Sequence, residues 1–400
     1  MFSIKHHTLR CCALAVVVGF ACTPAVAQKA GKAVLKKVDS ALQKARVNYA
    51  YMMKQLPADR FPVTLNTQTN ELRTSGSEPW VGGFYPGALL YLYEATGDTA
   101  LYQEALRKMK VLEKEQHNKT THDLGFMMYC SFGNAWRLQP EPHYRDVIIT
   151  SARSLASRFS EQVGCIRSWD SDAGRFMVII DNMMNLELLF AATKFTGDSS
   201  FYRVAVTHAN TSITHHFRPD YSSHHLVIYD PKTGVVQKKQ TVQGAADTSA
   251  WARGQAWGLY GYTMTYRETK DKKYLQQATQ IANFMLPYLP ADYVYYWDFH
   301  APGIPNTARD VSAAAITCSA LLELSQYVKG KTRKQYFKAA ENILQSLMSD
   351  EYLADANECR GFLLKHGTGN HPRNADIDVP LIYADYYFVE ALMRYRQWRR

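Results

Sequence analysis

Cysteine is sparse in this chain, and none of it is arranged to hold a metal. Of seven cysteines in 400 residues, Cys11, Cys12 and Cys22 sit in an N-terminal leader. Cys130, Cys165, Cys318 and Cys359 form no C-x-x-C pair and share no ligand spacing with histidine, which argues against a zinc site. Whether any of them pair as disulfides stays open. Apolar runs long enough to span a bilayer are missing, so no transmembrane anchor and no stable membrane insertion is expected. A dense Lys/Arg arm and nucleic-acid motifs are missing too, despite a formal charge of +10. Alternation with period two is rare, which leaves little room for an extended sheet. What is present is 46% hydrophobic and 20% charged residues, enough for a large buried core.

The first residues read as a secretory signal. Lys5 and Arg10 precede the short apolar stretch ALAVVVGFA, and Ala25-Val26-Ala27 gives the small-x-small pattern for cleavage after Ala27. A lipoprotein signal through Cys22 fits less well, because Gly19 stands where an aliphatic residue is wanted. Removing Lys5 and Arg10 takes the charge from +10 to 10 − 2 = +8. An exported basic protein, most simply periplasmic, suits an anionic extracellular substrate. The remainder, 28–400, is expected to form one domain, as a monomer or weak oligomer, with no nucleic acid, metal or organic cofactor implied.

A refrain organises that domain. LYLYEATGDTALYQEA (90–105) returns as LFAATKFTGDSSFYRVA (189–205), with looser echoes at 262–278 and 321–340. Each is an apolar helix end, a polar turn and a second helix, the turn often containing Gly to end one helix and Asp to cap the next. Stacked helical hairpins follow from this. The irregular spacing favours closure, so the expected fold is all-α, a toroid of six hairpins in an (α/α)6 barrel. Residues 218–240 suggest a small β-hairpin insert over one mouth, where long loops would build the site.

Four stretches could carry chemistry. In VIIDNMMNLELLF (178–190) a single acid, Asp181, is surrounded by apolar residues. In KTTHDLGFMMYCSFGNAW (119–136) Asp123 likewise precedes an apolar helix. An aspartate before a helix is first of all an N-cap. Two such acids beside a common cavity would also drive their pKa values apart, one holding a proton and one staying charged. In QTVQGAADTSAWARGQAWGLYGYTMTY (240–266), Thr248 or Asp247 could cap a helix starting near Ser249. Arg253 and Trp257 would share one face of that helix, and Trp251 and Gln255 another. An arginine fork among indoles suits a sugar acid, although a snorkelling core arginine accounts for the same pattern. Thr241 and Gln243 precede it as neutral donors and acceptors. In PWVGGFYPGALLYLY (79–93), Pro86 opens a helix, glycines loosen the approach and Trp80 would stand at the mouth.

Together these blocks resemble glycoside hydrolase family 88, the unsaturated glucuronyl hydrolases, over nearly the whole mature chain, from WVGGFYPG to DVPLIYADYYFVEALMRY. The WARGQAW and IIDNMMNLELL blocks are the specific ones. The resemblance implies a six-hairpin α/α barrel with Asp181 as proton donor and general base and Asp123 assisting it. It makes His225, Gln243, Arg253 and Trp257 substrate contacts, and Trp80, Trp169 and Trp251 stacking or wall residues. The implied substrate is a 4,5-unsaturated hexuronic acid at the non-reducing end of a lyase-generated oligosaccharide, hydrolysed by hydration of its C4=C5 enol ether.

The related unsaturated rhamnogalacturonyl hydrolases share barrel and chemistry, but the HDLGF and WARGQAW blocks argue against them. A glycosidase for saturated sugars, or a non-catalytic periplasmic sugar-binding protein, would also account for parts of the pattern. The positive charge suits glycosaminoglycan fragments. In the loop LLKHGTGNHPRNADID (363–378), Lys365, His366, His371 and Arg373 could meet a sulfate or the next sugar, or simply face solvent.

Overall fold

The computed structural model describes residues 24–170 and 174–399. The expected leader therefore lies outside the described residues, apart from its last four positions. In chain order the helices are α1 (Pro24–Met53), α2 (Phe84–Thr96), α3 (Thr99–Leu112), α4 (Asn134–Leu138), α5 (Pro142–Ala156), α6 (Leu186–Thr196), α7 (Ser199–His216), α8 (Ala252–Thr269), α9 (Lys272–Met285), α10 (Val311–Tyr327), α11 (Gly330–Leu347) and α12 (Ile382–Arg399). A π-helix, Gly125–Gly133, runs directly into α4.

The refrain is the turn at one end of this array. Gly97 ends α2 at φ 74 and Asp98 caps α3 by accepting the Ala100 N–H. Gly197 and Asp198 repeat this between α6 and α7. Between α8 and α9, Lys270 adopts the left-handed conformation at φ 59 and Asp271 caps. In these three turns the glycine is replaceable and the capping acid stays, whereas between α10 and α11 both are replaced, with Val328 ending α10 and Lys329 at the N-cap of α11 without a side-chain cap.

Burial sorts the helices into two rings. In α8, Ala252 through Thr265 are all buried, and in α10 so are Val311 through Ser325. In α9 the buried positions are the stripe Tyr274, Gln277, Ala278, Ile281, Ala282 and Met285. Helices buried all round belong inside, and striped ones outside. The inner ring runs α2, π-helix with α4, α6, α8, α10, α12, and α12 packs back on α2 to close it. The expected toroid of six hairpins is the fold. Close approach is needed where α2 meets the π-helix: a Cβ on Gly83 would lie 2.2 Å from the carbonyl oxygens of Phe126 and Met127.

Short antiparallel ladders sit on this barrel: β1 (Phe61–Asn66) with β2 (Glu71–Ser75), and β3 (Phe159–Ser160) with β4 (Cys165–Ile166). Next come β5 (Phe176–Ile179), β6 (Leu226–Tyr229) and β7 (Val236–Gln240) in one sheet, then β8 (Gly367–Asn370) with β9 (Ala375–Val379). The expected hairpin over 218–240 exists as β6–β7. Strand β5 was not expected; it pairs with β6 across nearly fifty residues of chain and leads straight to Asp181. Cys130, Cys165, Cys318 and Cys359 are free thiols. Among the described residues no helix is long and apolar enough to cross a membrane.

Candidate active site

Strand register brings the central pair together. Ile179 pairs with Leu226, and the Ile180 N–H donates to the His225 carbonyl at 3.0 Å. Asp181 follows immediately, so its Oδ2 lies 3.7 Å from His225 Nε2. On the other edge Leu226 pairs with Gln240, which delivers Thr241, Val242 and Gln243 to the same place. Three strand ends thus converge on one carboxylate.

Neither acid caps a helix. Asn185 occupies the N-cap of α6, Leu124 that of the π-helix, and neither cap is made by a side chain. Asp181 instead starts a 3-10 turn, Ile180–Asn185, with Oδ2 buried and without a hydrogen bond. Asp123 Oδ2 accepts the Thr121 hydroxyl at 3.1 Å, and its Oδ1 lies 3.5 Å from His122 Nε2. Gly125 sits so tightly against Asn185 that a Cβ would fall 2.4 Å from its Cα.

Burial pushes the Asp181 carboxyl up to about 7, Arg253 opposes this, and the charge of Asp123 adds to the rise. A buried carboxyl of this kind exists in both protonation states near neutral pH, the condition for donating and then recovering a proton. Burial, reinforced by Arg253, depresses His225 to about 3, so its ring is neutral.

Arg253 is buried beneath this pair. Its Nη1 donates to Asp310 Oδ2 at 2.7 Å and to the Thr368 carbonyl at 2.5 Å, and its Nη2 to the Gly369 carbonyl at 2.6 Å. The guanidinium lies over the Trp251 and Tyr383 rings. Much of the expected two-bond fork for a substrate is therefore already engaged by the protein, and what Arg253 brings to the cavity is chiefly positive charge. The inner helices point the same way: Trp80, Asp123, Asp181, Arg253, Asp310 and Tyr383 all stand at or near their N-terminal ends. Six converging helix N-termini favour an anion.

The other expected residues gather here as well. Trp257 is fully buried against Phe126 and Tyr387, with its indole N–H unpaired and close enough to Asp181 to favour the carboxylate. Trp251 packs on the His225 ring at 4.6 Å and Trp169 meets it edge-on at 6.3 Å. Half-buried Trp80 lies 4.9 Å from Tyr383. Gln243 Nε2 donates to the Gly369 carbonyl and Thr241 Oγ1 accepts the Gly244 N–H. Helix α8 begins at Ala252 with Trp251 as its N-cap, later than the start expected near Ser249. Asp247 is not a cap; it turns back to accept the Thr241 N–H. In the 363–378 loop, Lys365 pairs with Glu358, His366 with Asp378, and His371 stacks on Trp297 at 4.0 Å. Arg373 is exposed.

Three residues escaped sequence reading: Asp310, Tyr383 and Asp298. Asp310 and Tyr383 anchor Arg253 from α10 and α12; Tyr383 lies within the DVPLIYADYYFVEALMRY block without standing out in it, and nothing in its local sequence marks Asp310. A large cavity, about 870 Å³, opens at the other mouth of the barrel, between Glu94, Arg137, Glu187, Arg267, Glu323 and Arg394. Its charges are paired with one another, Arg137 with Glu94 and Arg267 with Glu187 and Glu323, so the chemistry belongs to the Asp181 end.

Known proteins resemble the chain over most of its length. A curated unsaturated glucuronyl hydrolase of Formosa agariphila is 47% identical over 84% of this chain and 85% of its own. An unsaturated chondroitin disaccharide hydrolase of Streptococcus pyogenes serotype M1 is 32% identical over 91% of this chain and 92% of its own. A crystal structure of an unsaturated glucuronyl hydrolase specific for heparin superposes with a TM-score of 0.88 at 45% identity, covering 90% of this chain and 97% of the other. The model of Glycosyl Hydrolase Family 88 matches residues 47–398, and the chain belongs to that family.

Proposed function

We propose that this enzyme removes the 4,5-unsaturated uronic acid from the non-reducing end of glycosaminoglycan fragments, with heparin-derived disaccharides preferred, and that Asp181 serves as both acid and base. The observation that carries the reading is the largely buried Asp181 carboxyl, its Oδ2 without a hydrogen bond, poised near neutral pH within a ring of helix N-termini. The heparin preference draws on the 45% identical structure and on the net positive charge.

In this reading protonated Asp181 delivers its proton to C4 of the enol ether, and positive charge develops at C5 and the ring oxygen. The resulting carboxylate takes a proton from water, whose oxygen bonds to C5. The C5 hemiketal then opens to a ketone. The hemiacetal left at C1 expels the next sugar as an alcohol. No displacement occurs at the anomeric carbon, so the carboxylate spacing that separates retaining from inverting glycosidases has no bearing here. Asp123 keeps the Asp181 proton available, Arg253 and the helix ends attract the uronate, and Trp80 and Trp169 offer ring faces to sugars. Residues 1–27, read as an export signal, support action in a periplasm.

The test is the ultraviolet absorbance of the conjugated uronate during incubation with lyase-generated heparin, chondroitin, hyaluronan and pectin disaccharides. Loss of absorbance fastest with a heparin disaccharide is expected. Steady absorbance with all four overturns the assignment.

A further inference from the structure

We infer that the backbone fixes His225 as a neutral donor carrying its proton on Nε2, and that Asp298 is the positioning residue that holds this arrangement. The consequence for catalysis rests on the hydrolase reading above; the arrangement itself does not.

His225 Nδ1 accepts two backbone N–H groups, from Val242 at 3.1 Å and Gln243 at 3.3 Å. A ring nitrogen facing two donors has no room for a proton, so the single proton of the neutral ring sits on Nε2. That nitrogen is buried, has no hydrogen-bond partner and faces Asp181 Oδ2. The charged and titratable groups around the ring are Asp181, Arg253, His216 and His122, and the last three all oppose a second proton on it.

The two N–H groups are held by a loop that Asp298 assembles. Asp298 is fully buried; Oδ2 accepts the Ala245 N–H at 2.9 Å and the Ser249 hydroxyl at 2.7 Å, and Oδ1 the His300 N–H at 2.8 Å. It also bridges to Trp251, the ring that packs on His225. Gln243 ties the loop to β8, and Gln255 pins the segment before His225 through Tyr221 and Ser223. The Asp298 carboxylate thus organises the loop that follows Val242 and Gln243, while Gln255 holds the segment before the imidazole.

With Nδ1 occupied and Nε2 already loaded, His225 cannot remove a proton from water. It can steady the Asp181 carboxylate formed once the proton has gone to C4. Acid and base duty then falls to Asp181 alone.

Long-range nitrogen–proton NMR correlations of the histidine rings in the mature protein test this, with the His225 signals identified by their loss in His225→Gln. The expected pattern is a bare Nδ1, a protonated Nε2 and no titration between roughly pH 5 and pH 9. Asp298→Asn, with folding checked by circular dichroism, should let Nδ1 acquire a proton and should lower kcat about tenfold or more with little change in KM. Should that variant not fold, Ser249→Ala removes one Asp298 bond and should shift the same signals less. His225→Gln, which keeps an N–H near the Nε2 position, should retain more activity than His225→Ala. A protonated Nδ1 or a titrating ring in the wild type overturns the inference, as does equal loss in the two His225 variants. A bare Nδ1 in a protein that turns over no unsaturated disaccharide would instead count against the hydrolase reading alone.

Discussion

The Phe126 N–H donates to Asn185 Oδ1 at 3.0 Å, and that bond joins the segment carrying Asp123 to the segment carrying Asp181. Gly125 makes the approach possible, since any side chain there meets the Asn185 backbone. Asn185→Ala leaves a buried N–H without a partner and should cost about 1–3 kcal/mol. Gly125→Ala should cost more and lower kcat further than it changes KM, because it pushes the two acids apart. Thermal unfolding beside steady-state kinetics checks both.

Protonated Asp181 is the reactive form, so turnover should fall as pH rises through about 7. Stability follows the same sign. The folded carboxyl titrates above the usual aspartate value of 3.8, so its favourable contribution is complete below that value and lost as pH rises through about 7. Asp181→Asn should therefore unfold at a higher temperature than the wild type at alkaline pH, and the gap should close in acid. Melting curves across that range decide it.

Asp123 helps to raise Asp181, so removing its charge should lower the Asp181 pKa. Asp123→Asn should move the alkaline limb of the kcat profile to lower pH and reduce the maximum by about a hundredfold. An unmoved limb would mean that the two carboxyls do not sense each other.

Arg253 and Asp310 are both buried and bonded at 2.7 Å. Arg253→Met strands the Asp310 charge and should cost about 3–5 kcal/mol of stability. Arg253→Met with Asp310→Asn should recover much of that loss without restoring KM, which separates the structural role of the arginine from its attraction for the uronate.

The barrel was legible because its information is local. Each Gly-Asp turn closes a helix and caps the next within a few residues, and Asp181 stood out by its apolar neighbours. Asp123, Asp181, Arg253 and Trp257 were legible because they sit inside recognisable blocks, whereas His225 and Trp169 were reached only through the family resemblance. The β5–β6 register that sets Asp181 against His225 joins distant segments, and the strand itself is only four residues long. Asp298 and Asp310 look like ordinary loop acids until their partners arrive from elsewhere in the chain. The capping expectation for Asp181 and Asp123 failed for a related reason: the 3-10 turn and the π-helix displace both acids from the cap positions, leaving Asp181 facing His225 and Asp123 held by Thr121 beside His122.

The most direct test of the central claim is kcat for Asp181→Asn on the best unsaturated disaccharide, followed by absorbance, with binding measured separately by calorimetry. A fall of about a thousandfold or more, with the disaccharide still bound by a folded protein, is the predicted result. Turnover near the wild-type rate would contradict it, and would move the proton transfer to another group.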